Sequence, residues 1–121
     1  MSDTDDPSAA LDLAHLGQQT GGDPRLQREL LDLFVVQSAR LVARLEGLAK
    51  ADPATARELA HRVNGSARAI GAFELAETAA ELERSLAGNG AARLEPMAAA
   101  LGRTLEAVAA HLSRLPLRRQ S

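Results

Sequence analysis

The sequence predicts an all-α fold: an antiparallel up-down-up-down four-helix bundle with a short N-terminal helix as a lid. Three observations carry this expectation. Alanine and leucine dominate while Val, Ile and Thr are scarce. Ala, Leu, Arg and Glu lose little side-chain freedom in a helix, whereas strands favour β-branched and aromatic residues. Apolar residues also recur at spacings of three and four through four long segments, which is helical periodicity. Short connections with helix start and stop signals separate these segments. At 121 residues the chain has the length of one domain, enough to bury a core without disulfides or metals.

Residues 1–10, MSDTDDPSAA, are polar and acidic and read as a disordered leader or linker. Asp12 is a candidate cap for a short helix to about Gln19 carrying Leu13 and Leu16, before Thr20-Gly21-Gly22 breaks the chain. Asp23-Pro24 then pairs a capping carboxylate with proline at the first helical position, where its missing N–H costs nothing. The long helix it opens runs to about Lys50. Leu26, Leu30, Leu33, Phe34, Leu41, Leu45 and Leu48 form its apolar stripe, with Leu31, Val35 and Val42 as a thinner strip alongside. That strip either widens the core face or stays partly exposed for a partner.

Asp52-Pro53 repeats the start signal and opens a third helix to about Ile70, where Gly71 marks an end or a kink. A fourth helix spans about Phe73 to Ala87, with Leu75, Ala79, Leu82 and Leu86 facing inward. Gly88-Asn89-Gly90 is a turn. The last helix occupies about Ala91 to Leu115, starting nearer Glu95 because of Pro96, and carries Leu94, Met97, Leu101, Leu105, Val108, Leu112 and Leu115 inward. Pro116 ends it. The domain is therefore expected at 11–115, with 116–121 as a basic tail.

Composition narrows the chemistry. Without cysteine there is no disulfide framework, thiolate metal site or thiol nucleophile. With no Trp or Tyr and only two Phe, stacking platforms for single-stranded nucleic acid are missing. Fourteen basic against 16 acidic residues leave a net charge of −2, no footprint for nucleic acid or an anionic membrane. No apolar run approaches the ~20 residues of a membrane span and no signal peptide opens the chain, so a cytoplasmic protein is expected. No carboxylate cluster or glycine-rich loop suggests a metal or ATP site, so no cofactor is expected. His15 and His111 lack ligands at metal spacing and are expected at the surface or its boundary.

The third helix concentrates the unusual residues. Leu59, Val63, Ala67 and Ile70 follow spacings of four, four and three, so they face the core. Arg57, His61, Asn64, Gly65 and Arg68 form the opposite stripe, which puts His61 in water. Gly65 lies one turn after His61, and a mid-helix glycine costs about 1 kcal/mol relative to alanine. With no β-carbon there, and with Ser66, Ala67 and Ala69 small, another molecule can approach the imidazole closely.

The run His61-Arg62-Val63-Asn64-Gly65-Ser66-Ala67-Arg68-Ala69-Ile70-Gly71 resembles the signature of histidine-containing phosphotransfer (HPt) domains. That signature is a histidine, any residue, an aliphatic, lysine, glycine and a small residue, closing on a hydrophobic residue and a glycine ten positions after the histidine. The resemblance covers about 11–115, because the GGDP start of the long helix and the GNG turn also fall where such domains place them. It implies a phosphorelay intermediate, free-standing or from the C-terminal end of a hybrid sensor kinase. His61 would accept a phosphoryl group from the aspartyl phosphate of a receiver domain and pass it to another receiver. The resemblance further implies that Mg²⁺ and a phosphate-binding lysine come from the receiver. Partner contacts are expected at Leu31, Phe34, Val35, Arg57, Arg62 and Ser66, on a monomer.

The chain departs from the family at Asn64, where lysine is usual; asparagine offers N–H donors but no charge. Arg68, seven residues beyond His61, either folds back to supply the missing cation or stays a solvated surface arginine. Glu83 aligns with a glutamate of chemotaxis-kinase phosphotransfer domains. It either accepts a hydrogen bond from one imidazole nitrogen, leaving the other free to attack, or is an ordinary solvated side chain. The competing function is a helical adaptor, a degenerate phosphotransfer fold that docks a receiver or another partner without accepting phosphate.

Overall fold

In the computed structural model, which describes residues 10–88 and 93–116, five helices form and no strand appears among the described residues. They are α1 (Leu13–Thr20), α2 (Pro24–Leu48), α3 (Pro53–Ile70), α4 (Phe73–Ala87) and α5 (Glu95–Arg114). Most of the expected acidic leader, the Asn89-Gly90 part of the turn, the Ala91 start of the last helix and all but Pro116 of the basic tail lie outside the described residues.

Three aspartates start the first three helices. Asp12 Oδ1 accepts from the His15 N–H at 3.0 Å, and Asp23 Oδ1 accepts from the Arg25 N–H at 2.9 Å. Asp52 accepts twice from Thr55, from its N–H at 3.2 Å and its hydroxyl at 2.7 Å. Such caps stabilise a helix by ~1 kcal/mol each, because they satisfy N–H groups with no partner inside the helix. The hydrogen bonds from Thr55 also hold the Asp52 carboxyl below the usual carboxylate range.

Gly71 ends α3 rather than kinking it. At φ 88° it turns the chain left-handed, and the Ala72 N–H reaches back to the Ala67 carbonyl at 2.8 Å. The same residue receives α1: its carbonyl accepts from the Asp12 N–H at 2.9 Å, and a β-carbon on it would sit 2.8 Å from the Asp12 carbonyl oxygen. Glycine is thus required here twice over, by backbone sign and by space.

Helix α3 packs against α2 and α4, α5 against α4 and α2, and α1 rests on α2 and α3. The α3–α4 contact is the most extensive, and these helices bury Ala56, Ala60, Ala67, Ala76 and Ala79, side chains small enough for a close approach. Leu59, Val63, Ala67 and Ile70 are buried as their spacing requires, as are Leu75, Ala79, Leu82, Met97, Leu101 and Val108. Leu86, Leu94, Leu105 and Leu112 pack half-buried at the rim.

Helix α2 is rotated from the expected phase. Leu26 and Leu33, assigned to its inward stripe, are 43% and 53% exposed. The buried line is instead Gln27, Leu31, Phe34, Ser38, Leu41, Val42 and Leu45. Two members are polar, so counting leucines misplaces the stripe's centre. Both polar groups are paired, which makes their burial tolerable. Gln27 Nε2 donates to Thr20 Oγ1 at 3.1 Å, Gln27 Oε1 accepts from His111 Nε2 at 2.8 Å, and the Thr20 hydroxyl donates to the Leu16 carbonyl. Ser38 Oγ donates to the Val35 carbonyl at 3.4 Å. Hence Leu31 (0% exposed) and Phe34 (4%) are core residues and offer no surface to a partner, which corrects that expectation; Val35 remains half-buried.

The other two histidines sit at the boundary. His15 is half-buried with its ring edge-on to Phe73, centroids 5.1 Å apart. His111 bridges to Gln27, and burial first, then the nearby Arg114 charge, lowers its pKa. No helix among the described residues is long and apolar enough to cross a membrane.

Candidate functional site on helix α3

The capped start at Asp52 and the buried line from Ala56 to Ile70 fix the rotation of α3 about its axis. That rotation determines what its opposite face presents. His61 lies there with its side chain 71% exposed, amid exposed Arg57, Arg62, Gly65 and Arg68 and half-buried Asn64 and Ser66. A helix held this firmly presents the imidazole with little backbone freedom left to lose when another molecule docks.

Packing of α4 against α3 brings Glu83 to the ring. Glu83 Oε1 lies 3.2 Å from His61 Nδ1, and the glutamate side chain is only 29% exposed. An ionised carboxylate can only accept, so Nδ1 carries the proton in this bond. In the neutral ring the lone pair is then on Nε2. Of the two readings the sequence leaves for Glu83, the hydrogen-bonded one is what the structure contains.

Asn64 and Arg68 form a second pair. Arg68 Nε donates to Asn64 Oδ1 at 2.8 Å, across one helical turn. Asn64 is expected to offer N–H donors, whereas here its oxygen is engaged. The four-residue spacing was the available signal. Arg57, Arg62 and Ser66 make no side-chain hydrogen bond among the described residues and stand near the histidine only by their place on the helix.

Gly65 has no intramolecular reason to lack a side chain. A β-carbon built on it meets nothing within 4 Å, and its backbone is ordinary helix. The face therefore combines an oriented imidazole, three exposed guanidinium groups and an open notch. Phosphoryl oxygens are the chemistry such a face fits, since arginine forks match them and the ring offers a nucleophile. Among the described residues, no three His, Asp or Glu side chains converge to hold a metal ion.

A family model described as the Hpt domain matches residues 29–115. The chain belongs to the Hpt domain family. Hpt domains carry out histidine phosphotransfer in two-component signalling and interact with receiver domains in phosphorelays. The match begins in the second turn of α2 and closes at Leu115, so α1 lies outside it while the His61 face and Glu83 lie within. No curated protein and no solved structure gives a significant match.

Proposed function

We propose that this Hpt domain is a phosphorelay intermediate in which His61 accepts a phosphoryl group from a receiver-domain aspartyl phosphate and returns it to another receiver. The observation that supports this most is an imidazole 71% exposed on the face opposite the core, with Nδ1 tied to Glu83.

The transfer follows from that geometry. The Nε2 lone pair of His61 attacks phosphorus in line with the bond to the aspartyl oxygen. The N–P bond forms as the P–O bond breaks, and the aspartate leaves with the electron pair as a carboxylate. No proton need move: Nδ1 keeps its hydrogen, the ring becomes positive, and the Glu83 carboxylate offsets that charge. Transfer onward is the reverse sequence with a second receiver. Because the transition state is loose, positioning and charge stabilisation matter more than covalent apparatus. Arg68, Arg57 and Arg62 supply positive charge for the phosphoryl oxygens, while Gly65 and Ser66 leave room for the receiver and half-buried Val35 adds apolar contact. Mg²⁺ is assigned to the receiver's own pocket, and the chain itself makes no use of ATP.

The architecture we infer around this site is an up-down-up-down antiparallel bundle with α1 as its lid. Supporting it, the start of α2 meets the end of α5 through Gln27–His111 and through Arg28 Nη2, which donates to the Leu112 carbonyl at 3.0 Å. One exposed face serves donor and acceptor in turn, so we take the working unit to be a cytoplasmic monomer.

Incubation with a phosphorylated receiver tests the reading. Wild type should acquire acid-labile, base-stable phosphate and His61→Gln should not. Labelling retained in the variant would remove His61 as the acceptor. A receiver that binds wild type yet never labels it would favour the adaptor instead.

A further inference from the structure

Asn64 replaces a cation with a neutral side chain, and the bond it makes suggests why the site tolerates that. Arg68 has five N–H donors, of which Nε is engaged by Asn64 Oδ1 at 2.8 Å. That bond holds the guanidinium by its inner edge and leaves the outer nitrogens uncommitted. Among the described residues the one ion pair between permanently charged side chains is Glu74–Arg103, and Glu83 is engaged by His61, so no carboxylate there neutralises Arg68. Asn64 is half-buried, whereas Arg68 is exposed, so the amide is the better-anchored partner.

The choice of asparagine has a physical logic. An unrestrained arginine has many rotamers to give up when it meets a phosphate. A hydrogen bond to Nε removes part of that loss in advance. An aspartate at the same place would hold the arginine too, but its charge would cancel the guanidinium's. A neutral acceptor holds the cation and leaves its charge available.

We infer that Asn64 is a positioning residue for Arg68: its carboxamide oxygen keeps the guanidinium on the His61 face, so that the outer nitrogens form a two-pronged donor to the phosphoryl oxygens. A fork thereby replaces a point charge. The guanidinium donates hydrogen bonds and transfers no proton, so the bonds made and broken at phosphorus are those already described. This inference rests on His61 being the acceptor.

The test uses the full chain with a phosphorylated receiver as donor. Single-turnover transfer is measured for wild type, Asn64→Ala, Arg68→Ala, the double variant and Asn64→Asp, with NMR detection of the Arg68 Nε–H. Each alanine variant should slow transfer about tenfold, the scale of one charge-assisted hydrogen bond at a site open to water, and the double should be no slower than Arg68→Ala. The Nε–H should exchange slowly in wild type and Asn64→Asp and rapidly in Asn64→Ala. Asn64→Asp should still slow transfer, because its charge cancels the cation it holds. Losses that multiply in the double variant would show Asn64 acting on the phosphoryl group by itself and overturn the inference. So would full activity in Arg68→Ala. If wild type is never labelled, the acceptor reading fails; if it is labelled and the single variants match it, only the positioning role fails.

Discussion

Nδ1 of His61 and Oε1 of Glu83 lie 3.2 Å apart, across the contact between α3 and α4. This one bond ties the exposed imidazole to the most extensively packed helix pair. It selects which nitrogen of the ring is free, and in the proposed transfer it places a negative charge where phosphorylation would create a positive one.

Replacing Glu83 with alanine should therefore slow phosphoryl transfer roughly tenfold, the rate equivalent of a hydrogen bond to a charged group worth about 1.4 kcal/mol. Glu83→Gln keeps an acceptor without the charge and should fall between the two. Neither change should move stability by more than ~0.5 kcal/mol, because the bond lies outside the core. Stopped-flow transfer and thermal melts together check this. A large fall in melting temperature with unchanged rate would make the contact structural.

Gly65→Ala should raise stability and lower transfer at once. The added methyl meets nothing in the chain, so the helix gains about 0.5–1 kcal/mol while the notch beside the imidazole fills. Gly102 in α5 is the control, since a β-carbon there also meets nothing within 4 Å. Gly102→Ala should give a similar gain with transfer unchanged. Equal transfer rates in both variants would mean that the notch at Gly65 is not used for docking.

Gly71→Ala should lower stability. At φ 88° and with a β-carbon forced to 2.8 Å from the Asp12 carbonyl, alanine must shift α1 or strain the turn. A loss of about 1–2 kcal/mol is expected from the left-handed backbone alone. Denaturant titration measures it, and faster amide exchange at Asp12 would locate the damage at the α1–α3 junction.

His111 predicts a pH dependence with a definite sign. Burial, followed by Arg114, lowers its pKa in the folded state. The unfolded chain therefore takes up the proton first, and stability is fully present above the unfolded value of about 6.5 and declines as pH falls through the folded value. Urea midpoints measured between about pH 7.5 and 5 should fall more steeply for wild type than for His111→Gln, and equal slopes would contradict the assignment.

The fold was legible where local chemistry decides it. Asp12, Asp23 and Asp52 mark helix starts because capping needs only a carboxylate a few residues from free N–H groups. The phase of α3 was readable because every buried position on it is apolar. The phase of α2 was not, because Gln27 and Ser38 occupy core positions that tertiary hydrogen bonds make tolerable. Leu26 and Leu33, expected inward, face water for that reason. The site divides the same way. His61 and Gly65 follow from one helix's own geometry, and Asn64–Arg68 from a four-residue spacing. Which α4 side chain reaches the imidazole depends on how two helices dock; only resemblance pointed to Glu83.

The proposed mechanism turns on Nε2 of His61 as the nucleophile. Phosphorus–nitrogen NMR of the protein after reaction with a phosphorylated receiver tests it atom by atom. A single phosphohistidine is expected, at residue 61, bonded through Nε2 with the hydrogen retained on Nδ1. Phosphate bonded through Nδ1, or carried by His15 or His111, would contradict it.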